Sequence, residues 1–320
     1  MKRTLRLLSP AKVNLRLEVL RKRKDGYHEI RTIFQKISLH DTIRLSLKKE
    51  QGISITTDSP GLPVGKDNLV YKAAKAIFRR SGHPGGVSVH IAKRIPVGAG
   101  LGGGSSNAAA TLKALNHLLE LGLTREEMMA TGIEIGADVP FFFLERGAIA
   151  TGIGERLREI DLPTIWYVLI YPNFEVSTAW AYRNTRLTHS TAQNSAFQGG
   201  EGKRRSGSIL SKSRHLCRGV EGLTKERFRY KIHKFLATPE AVSRVLMNDL
   251  ERVVSGTFAQ IRLMKEILHS HGALGSLMTG SGPTVFGIFG DERAAAKAYK
   301  GVRRRVEAKG WRIIKAHSLP

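Results

Sequence analysis

The chain of 320 residues has a formal net charge of +25 and 41% hydrophobic residues, so it has enough apolar material for a sizeable core and enough length for two domains. Its single cysteine, Cys217, rules out an intrachain disulfide and fits a reducing compartment, while Arg6 interrupts the apolar run that a signal peptide needs. No apolar run approaches the roughly 18 residues of a membrane helix, and we expect a globular cytoplasmic protein without membrane contact.

The excess of positive charge is a common mark of nucleic-acid-binding proteins, so that class has to be weighed first. The basic residues are spread over the amino-terminal part, over residues 203–234 and over residues 293–315. No zinc finger, RNA-recognition motif or other nucleic-acid signature accompanies them. We therefore interpret the charge as solvated surface together with attraction for polyphosphate substrates, and we expect no nucleic-acid partner.

The first half of the chain has the pattern of alternating strands and helices. Alternation of apolar and polar residues predicts half-buried strands at residues 4–8, 13–20, 42–47 and 87–91. Helical spacing predicts a helix over residues 68–80, and Thr124 with Glu127 forms a capping box for a later helix. These elements predict a first α+β domain over residues 1–155.

The most distinctive segment follows the fourth predicted strand and has the sequence PVGAGLGGGSSN, with five glycines within seven positions. Glycines let backbone N–H groups approach an anion, and the helix predicted behind the loop adds free N–H groups and a positive dipole end. Either serine can cap that helix and donate to a phosphate oxygen, and we expect the last two glycines to have no room for a Cβ beside the phosphates. The candidate nucleotide-binding residues of this loop are Pro96, Val97, Gly98, Ala99, Gly100, Leu101, Gly102, Gly103, Gly104, Ser105, Ser106 and Asn107.

Other glycine-rich loops fit this segment less well. Gly98, Gly100 and Gly103 match the dinucleotide pattern G-x-G-x-x-G, but Glu120 falls near the end of the same helix rather than on a second strand. A Walker A loop needs a lysine after its glycines, and the protein-kinase signatures H-R-D and D-F-G are missing. A flexible hinge needs neither the serines nor the helix. A phosphate cradle is therefore the favoured interpretation.

The second half is predicted to form a second domain over residues 156–320. Strands are predicted at residues 166–171, 275–278 and 284–289, and helices at residues 240–254, 256–270 and 292–309. Residues 190–235 are interpreted as a basic insertion in this domain. Within it, residues 198–218 are polar and rich in glycine and serine, which is typical of a surface loop that chemistry does not need.

Three widely separated motifs resemble those of the GHMP kinases, the superfamily of galactokinase and of homoserine, mevalonate and phosphomevalonate kinases. They are SPAKVNLRLEVLRKRKDGYHEIRTIFQKISLHDTI at residues 9–43, the glycine-rich loop, and MTGSGPTVFGIF at residues 278–289. With IGADVPFFF at residues 135–143, the resemblance covers most of the chain and leaves out residues 188–235. It implies a two-domain α+β fold, in which a domain related to a ribosomal-protein domain precedes a ferredoxin-like α/β sandwich and the active site lies in the cleft between them.

The resemblance also implies which groups react. Asp138, in G-A-D-V-P, is the candidate base for an acceptor hydroxyl, although spacing alone favours a helix cap or turn residue equally. Lys12, in P-A-K-V-N, is implied to lie beside that aspartate and to neutralise charge on the transferring phosphoryl group, whereas a strand lysine more often faces solvent. Asn14 is two residues further along and shares that strand face, where it can orient the acceptor.

The acceptor is indicated by Tyr27 and His28, in D-G-Y-H, at a predicted hairpin turn. Turns commonly contain such residues, but the pair resembles the diphosphocytidyl kinases among the GHMP kinases, because an aromatic ring can stack on cytosine while a histidine binds its edge. Tyr182 is the candidate second aromatic face. Further candidate substrate contacts lie in the third motif, at Gly280, Ser281 and Gly282.

The resemblance thus implies ATP-dependent phosphorylation of a hydroxyl of a cytidine diphosphate-linked polyol. A GHMP kinase of the homoserine or mevalonate type is the first alternative. The second is a non-enzymatic, basic nucleic-acid-binding protein on the same fold.

On the nucleotide side, Lys93 flanks the glycine loop and Asn68 is a candidate contact for adenine or ribose, with ordinary surface positions as the alternative for both. The sequence offers no carboxylate cluster that would form a cage for a divalent cation. We therefore expect Mg²⁺ to arrive with ATP and to be held by phosphates and water, and we name no protein ligand for it. A monomer or a homodimer is expected.

Overall fold

The computed structural model describes residues 4–83, 85–185 and 236–320. The predicted basic insertion, including residues 198–218 and Cys217, lies outside the described residues. Within the described ranges, no helix combines the length and the apolar character that crossing a membrane requires.

The strands alternate with helices as the sequence pattern indicates. Numbered along the described chain, the strands are β1 (Thr4–Lys22), β2 (His28–Leu47), β3 (Gly52–Thr57), β4 (Gly86–Ala92), β5 (Gly147–Gly152), β6 (Arg156–Ile160), β7 (Trp166–Tyr171), β8 (Met247–Asn248), β9 (Gly275–Met278), β10 (Val285–Phe289) and β11 (Arg312–His317). The helices are α1 (Leu69–Ser81), α2 (Gly103–Leu118), α3 (Arg125–Ile135), α4 (Thr178–Asn184), α5 (Pro239–Ser243), α6 (Asp249–Thr257), α7 (Gln260–His269) and α8 (Glu292–Glu307), with a 3₁₀ turn at Pro140–Phe143.

The first sheet is built on the antiparallel pair β1 and β2. Its order is β3-β4-β2-β1-β8, with β5 paired to β2 and β6 paired to β5. The two strands predicted at residues 4–8 and 13–20 are one strand, β1, because Pro10, which has no N–H to donate, coincides with a shift of register rather than with a strand end. β6 and β8 bring residues from beyond position 155 into this sheet.

The second sheet has the order β11-β7-β10-β9, and all its neighbours are antiparallel. The predicted strand at residues 166–171 is confirmed as β7, and the predicted pairing of the strands around the third motif is confirmed for β9 and β10. A layer of apolar side chains between the two sheets joins β1 residues such as Val13 to Tyr167 and Phe286, and also buries Ala99 and Leu101 of the glycine loop. The loop is therefore held where the two sheets meet.

The helix ends follow local side-chain chemistry. Asn68 caps α1 by accepting from Val70 N, and the predicted capping box of Thr124 and Glu127 is confirmed at the start of α3. The single helix predicted over residues 240–254 is wrong, because β8 separates α5 from α6. The Asn248 amide donates to the carbonyls of Met278 and Gly280, at 2.7 and 2.8 Å, while its oxygen caps α6. A tertiary contact thus overrides the helical pattern.

Candidate active site

Two cavities meet at the glycine-rich loop. The larger cavity, of about 850 Å³, lies between the β1–β2 hairpin, α4 and the turn between β9 and β10. The smaller cavity, of about 440 Å³, lies between the start of α1 and the loop. Both are lined by Gly98, Gly100, Gly102, Ser105 and Thr178. A group bound against this shared wall is accessible from both sides.

Close packing fixes the loop between β1 and the turn after β9. The Lys12 main-chain N–H donates to Leu101 O at 2.9 Å. A Cβ at Gly100 would lie 2.3 Å from Thr279 O, and the φ of +76° at Gly100 also disfavours any other residue. The N-cap of α2 is Gly102, so the first-turn N–H groups, which have no partner within a helix, open on the smaller cavity.

Lys12, Asn14 and Asp138 come together at the wall of the larger cavity. The Lys12 ammonium donates to Asn14 Oδ1 at 2.7 Å and lies 3.3 Å from Asp138 Oδ2. Asn14 in turn donates to Thr32 Oγ1 at 2.8 Å, which fixes its amide. The Lys12 side chain is 5% exposed and that of Asp138 is 33% exposed. The carboxylate is therefore accessible from the cavity, and the buried ammonium beside it offsets its negative charge.

Aromatic rings from both halves of the chain also line the larger cavity. The His28 ring stacks on Tyr182 of α4, with 5.2 Å between ring centroids and 27° between planes. Burial, and then the charge of Lys22, lowers the pKa of His28, so its imidazole is neutral at neutral pH. Burial, helped by the charge of Asp138, raises the pKa of Tyr182. Tyr27 also lines this cavity, and its side chain is largely exposed.

Comparisons with known proteins give this arrangement a family. The chain matches the GHMP kinases N terminal domain over residues 68–146 and the GHMP kinases C terminal model over residues 236–308. It is 42% identical over 308 residues to the 4-diphosphocytidyl-2-C-methyl-D-erythritol kinase of a Geobacter species, with 96% of each chain covered. The chain belongs to the 4-diphosphocytidyl-2-C-methyl-D-erythritol kinase family. The expected GHMP kinase is thereby confirmed.

Solved structures agree with this family. A crystal structure of a 4-(cytidine 5'-diphospho)-2C-methyl-D-erythritol kinase is similar with 31% identity and a TM-score of 0.72, covering 99% of this chain and 100% of the other. A homoserine kinase from Cytophaga hutchinsonii has 19% identity and a TM-score of 0.69, over 99% and 95% of the two chains, and shares the fold. The two-domain α+β fold of the GHMP kinases is confirmed.

The two serines of this kinase's glycine loop face different ways, and the expectation that either caps α2 is wrong. Helix α2 has no side-chain cap, because Gly102 occupies the N-cap position. Ser105 lines both cavities. Ser106 is buried instead, and its hydroxyl lies 2.8 Å from that of Ser9, which also donates to Asn107 Oδ1 at 2.7 Å. Ser106 therefore ties α2 to β1.

Lys93 lies beneath the glycine loop, and its ammonium pairs with Asp41, which also accepts from the N–H groups of Arg94 and Ile95 at 2.8 Å. Burial lowers the pKa of Lys93, against the opposing effect of Asp41. A Cβ at Gly103 would lie 2.8 Å from Lys93 Nζ. Lys93 therefore supports the loop as well as lining the smaller cavity.

That neither of the last two glycines has room for a Cβ beside the phosphates stays a prediction, but their protein surroundings differ. At Gly104 the nearest atom to a Cβ belongs to Leu69, at 3.5 Å, which is ordinary contact. The smaller cavity is lined by the other nucleotide candidates, among them Asn68, Pro96, Val97 and Asn107.

The turn after β9 contributes two of its three predicted residues to the larger cavity. Gly280 and Ser281 line it, and the Ser281 hydroxyl lies 2.8 Å from that of Thr178. Gly282 is not among the lining residues, because its N–H donates to Thr279 O at 3.0 Å and a Cβ there would lie 2.6 Å from Met278 Sδ. Gly282 thus shapes the turn instead.

Two polar residues of α4 that line the larger cavity were not predicted from the sequence. Thr178 and Arg183 lie on the same short helix as Tyr182 and line the larger cavity with it. The i, i+4 spacing of Thr178 and Tyr182, which places both on one helix face, was the available signal.

Proposed function

We propose that the chain phosphorylates the 2-hydroxyl of 4-diphosphocytidyl-2-C-methyl-D-erythritol with ATP, giving the 2-phosphate and ADP, as a cytoplasmic step of non-mevalonate isoprenoid precursor synthesis. The observation that carries the proposal is the Lys12–Asp138 pair, 3.3 Å apart, at a cavity that shares its glycine wall with a second cavity. The names of the relatives supply the acceptor.

The smaller cavity is proposed to bind the nucleotide. The free N–H groups at the start of α2 face this cavity, and a helix N-terminus favours anionic ligands. Ser105 lines both cavities, so its hydroxyl is available to a phosphate oxygen at their junction. A triphosphate bound along the loop would thus direct its terminal phosphoryl group towards the larger cavity.

Asp138 and Lys12 are proposed to act on the acceptor hydroxyl. The acceptor oxygen forms a bond to the γ-phosphorus, the bond from that phosphorus to the bridging oxygen of ADP breaks, and the hydroxyl proton passes to an Asp138 carboxylate oxygen. The Lys12 ammonium, 3.3 Å from the Asp138 carboxylate, also offsets negative charge on the phosphoryl oxygens during transfer. Asn14 holds the Lys12 ammonium in place.

Mg²⁺ is proposed to enter with ATP. Among the described residues, no three His, Cys, Asp or Glu side chains come together as a metal-binding group. In such sites Mg²⁺ usually keeps several waters and binds substrate phosphates together with one or two carboxylates, so a protein cage of three ligands is not required. When bound, the ion would neutralise charge on the triphosphate.

The cytosine is proposed to lie at the His28–Tyr182 end of the larger cavity. A neutral imidazole offers one donor and one acceptor to the edge of a base, and the lowered pKa of His28 keeps it in that form. Tyr182 orients the His28 ring by stacking, and Tyr27 supplies an exposed ring that can cover the base. The enzyme would thereby select the cytidine part of its acceptor.

A coupled assay of ADP release tests the proposal. The purified chain is given ATP, Mg²⁺ and one of three acceptors: 4-diphosphocytidyl-2-C-methyl-D-erythritol, mevalonate or homoserine. We expect turnover only with the first, and phosphorus NMR of the product should show a new monophosphate ester at the 2-position. Comparable turnover with mevalonate or homoserine would overturn the assignment of the acceptor.

A further inference from the structure

Two lysines hold the segment that follows Asp138 by its main-chain carbonyls. Lys36 of β2 donates to Leu144 O at 2.7 Å and to Glu145 O at 3.1 Å. Lys113 of α2 donates to Phe142 O at 2.8 Å, and its ammonium lies 5.3 Å from the centre of the Phe143 ring. These carbonyls lie at the end of the 3₁₀ turn, where main-chain acceptors lack helical partners.

The surroundings of Lys36 are unusual for a structural lysine. The residue is only 9% exposed, and in the described parts of the chain its ammonium forms no ion pair. Burial, with the charge of Lys113 nearby, lowers its pKa to about 8, against weaker opposing effects of Glu159 and Glu145. Burying an ammonium costs free energy unless its hydrogen bonds are satisfied. An apolar side chain would therefore have a smaller desolvation cost at this position.

Both lysines belong to elements that already carry the reacting groups. Lys36 lies directly opposite Lys12 in the β1–β2 register, so the same pair of strands carries the ammonium that contacts Asp138 and the one that holds its segment. Lys113 lies on α2, whose first turn lines both cavities. The position of Asp138 is thereby tied to Lys12 on one side and to the glycine loop on the other.

The segment between Asp138 and these carbonyls is short and internally bonded. Val139 N donates to Gly136 O at 3.0 Å, Phe142 N donates to Val139 O at 3.2 Å, and Leu144 N donates to Phe141 O at 3.1 Å. A displacement at residues 142–145 is therefore passed to Asp138 instead of being absorbed by a flexible loop.

We propose that Lys36 is a positioning residue for phosphoryl transfer, which with Lys113 fixes the segment of Asp138 so that its carboxylate stays against Lys12 and faces the acceptor hydroxyl. This inference rests on the proposed function of Asp138 as the base. Lys36 touches neither cavity, and it acts only through Asp138.

A double-mutant cycle of Lys36→Met and Asp138→Asn tests the inference by steady-state kinetics. Lys36→Met alone is expected to lower kcat by about 10- to 100-fold, the scale of a small misplacement of a reacting group, while KM for ATP changes less than about twofold. In the Asp138→Asn background, Lys36→Met should lower kcat no further, because the group that it positions is already absent. The control is Val302→Ala in α8, which weakens the second domain's core and lines neither cavity.

The outcomes separate the inference from the proposed function. If Asp138→Asn is slow and Lys36→Met lowers kcat by the same factor in both backgrounds, Lys36 has a general structural role and the inference is overturned while the base survives. If folded Asp138→Asn keeps wild-type turnover, the base assignment and the inference both fail. Val302→Ala should lose stability without a comparable loss of kcat.

Two further variants keep the test open if Lys36→Met does not fold. Lys36→Arg retains the charge and several N–H donors, and we expect it to recover most of the wild-type kcat. Lys113→Met is tested in the same double-mutant cycle. It should lower kcat in the wild-type background and should not lower it further in the Asp138→Asn background. A Lys113→Met loss that persists in the Asp138→Asn background, or a Lys36→Arg variant with normal stability but the full loss of kcat, would contradict the inference.

Discussion

The two cavities on either side of the glycine loop are built by different means. The smaller one is formed largely by one continuous segment, residues 96–105, together with the start of α1. The larger one is assembled from side chains that lie far apart in sequence, such as Lys12, His28, Asp138 and Tyr182. Backbone N–H groups bind any phosphate chain, whereas placed side chains select one acceptor. On the proposed division of the substrates, selectivity depends on long-range packing and phosphate binding on local sequence.

The largest expected effect comes from removing the reacting groups of the larger cavity. Asp138→Asn removes the proton acceptor at nearly constant size, so kcat should fall by about 10²- to 10⁴-fold. Lys12→Met should also lower kcat, and the double variant should be only modestly slower than the worse single one, because Lys12 acts partly through Asp138. Rapid-quench kinetics with both substrates saturating would measure this. Losses that simply multiply would contradict a shared step.

The next effect tests whether the smaller cavity depends on backbone packing. Gly103→Val should displace the loop, because its Cβ would lie 2.8 Å from Lys93 Nζ and 3.0 Å from Ile95. Overpacking of this kind costs about 1–3 kcal/mol, so we expect ATP affinity to fall on the order of tenfold. Gly256→Val is the matched control, since its Cβ would lie in open space and the residue lines neither cavity. Isothermal titration with ATP should separate the two, and equal affinities would count against the packing argument.

If side chains of the larger cavity select the acceptor, their variants should change KM for the acceptor more than KM for ATP. Tyr182→Ala removes the ring on which His28 stacks, and His28→Ala removes the imidazole, so each should raise KM for the diphosphocytidyl acceptor. Loss of a hydrogen bond to the base edge is worth about 0.5–1.5 kcal/mol, which corresponds to roughly 2- to 10-fold. Tyr182→Phe keeps the ring and should remain near wild type. If KM for ATP rises as much as KM for the acceptor, the two cavities do not divide the substrates as proposed.

A smaller effect is expected at Arg183, the exposed cation that lines the larger cavity on α4. If it faces the diphosphate of the acceptor, Arg183→Gln should raise KM for that substrate a few-fold, and the effect should shrink at high salt because exposed charges are screened. Arg293→Gln on α8, which lines neither cavity, is the control. A salt-independent change in kcat would point to a structural role.

The smallest expected effect is on how the free energy of unfolding changes with pH. The pKa of Lys36 is lowered to about 8, below its ordinary value of 10.5, so between these pH values the unfolded chain binds more protons at this group and stability rises with pH. The free energy of unfolding of the wild type, minus that of Lys36→Met, should therefore increase from about pH 8 to 10.5. Denaturant titrations at several pH values measure this difference. A flat or falling difference would contradict the assigned shift.

Local features of the site were predictable and long-range ones were not. The glycine loop, Asp138 and Tyr27 each lie in a short motif, and the helix behind the loop follows from its spacing. The inward direction of Ser106 depends on α2 beginning after Gly102, one turn earlier than a serine cap would place it. The break at Asn248 depends on carbonyls of Met278 and Gly280, thirty or more residues away. No local sequence pattern indicates a hydrogen-bond partner so far along the chain.

Lys36 illustrates the same limit. In the sequence it is one of many basic residues, flanked by Gln35 and Ile37, and nothing nearby marks it as buried. Its partners are carbonyl oxygens more than a hundred residues further along the chain, and carbonyls carry no sequence signature. Only the register of β2 against β1 and β5 brings these groups together.

The pairing of β8 with β1 has a consequence for how this protein is made. Arg16 and Leu17 of β1 receive their parallel partners, Met247 and Asn248, from a part of the chain that the ribosome synthesises much later. Until that part emerges, the strand that carries Lys12 has an open edge beside the future active site. We expect a nascent chain stalled before β8 to be sensitive to proteases and to need chaperone protection, although the glycine loop and Asp138 have already been translated.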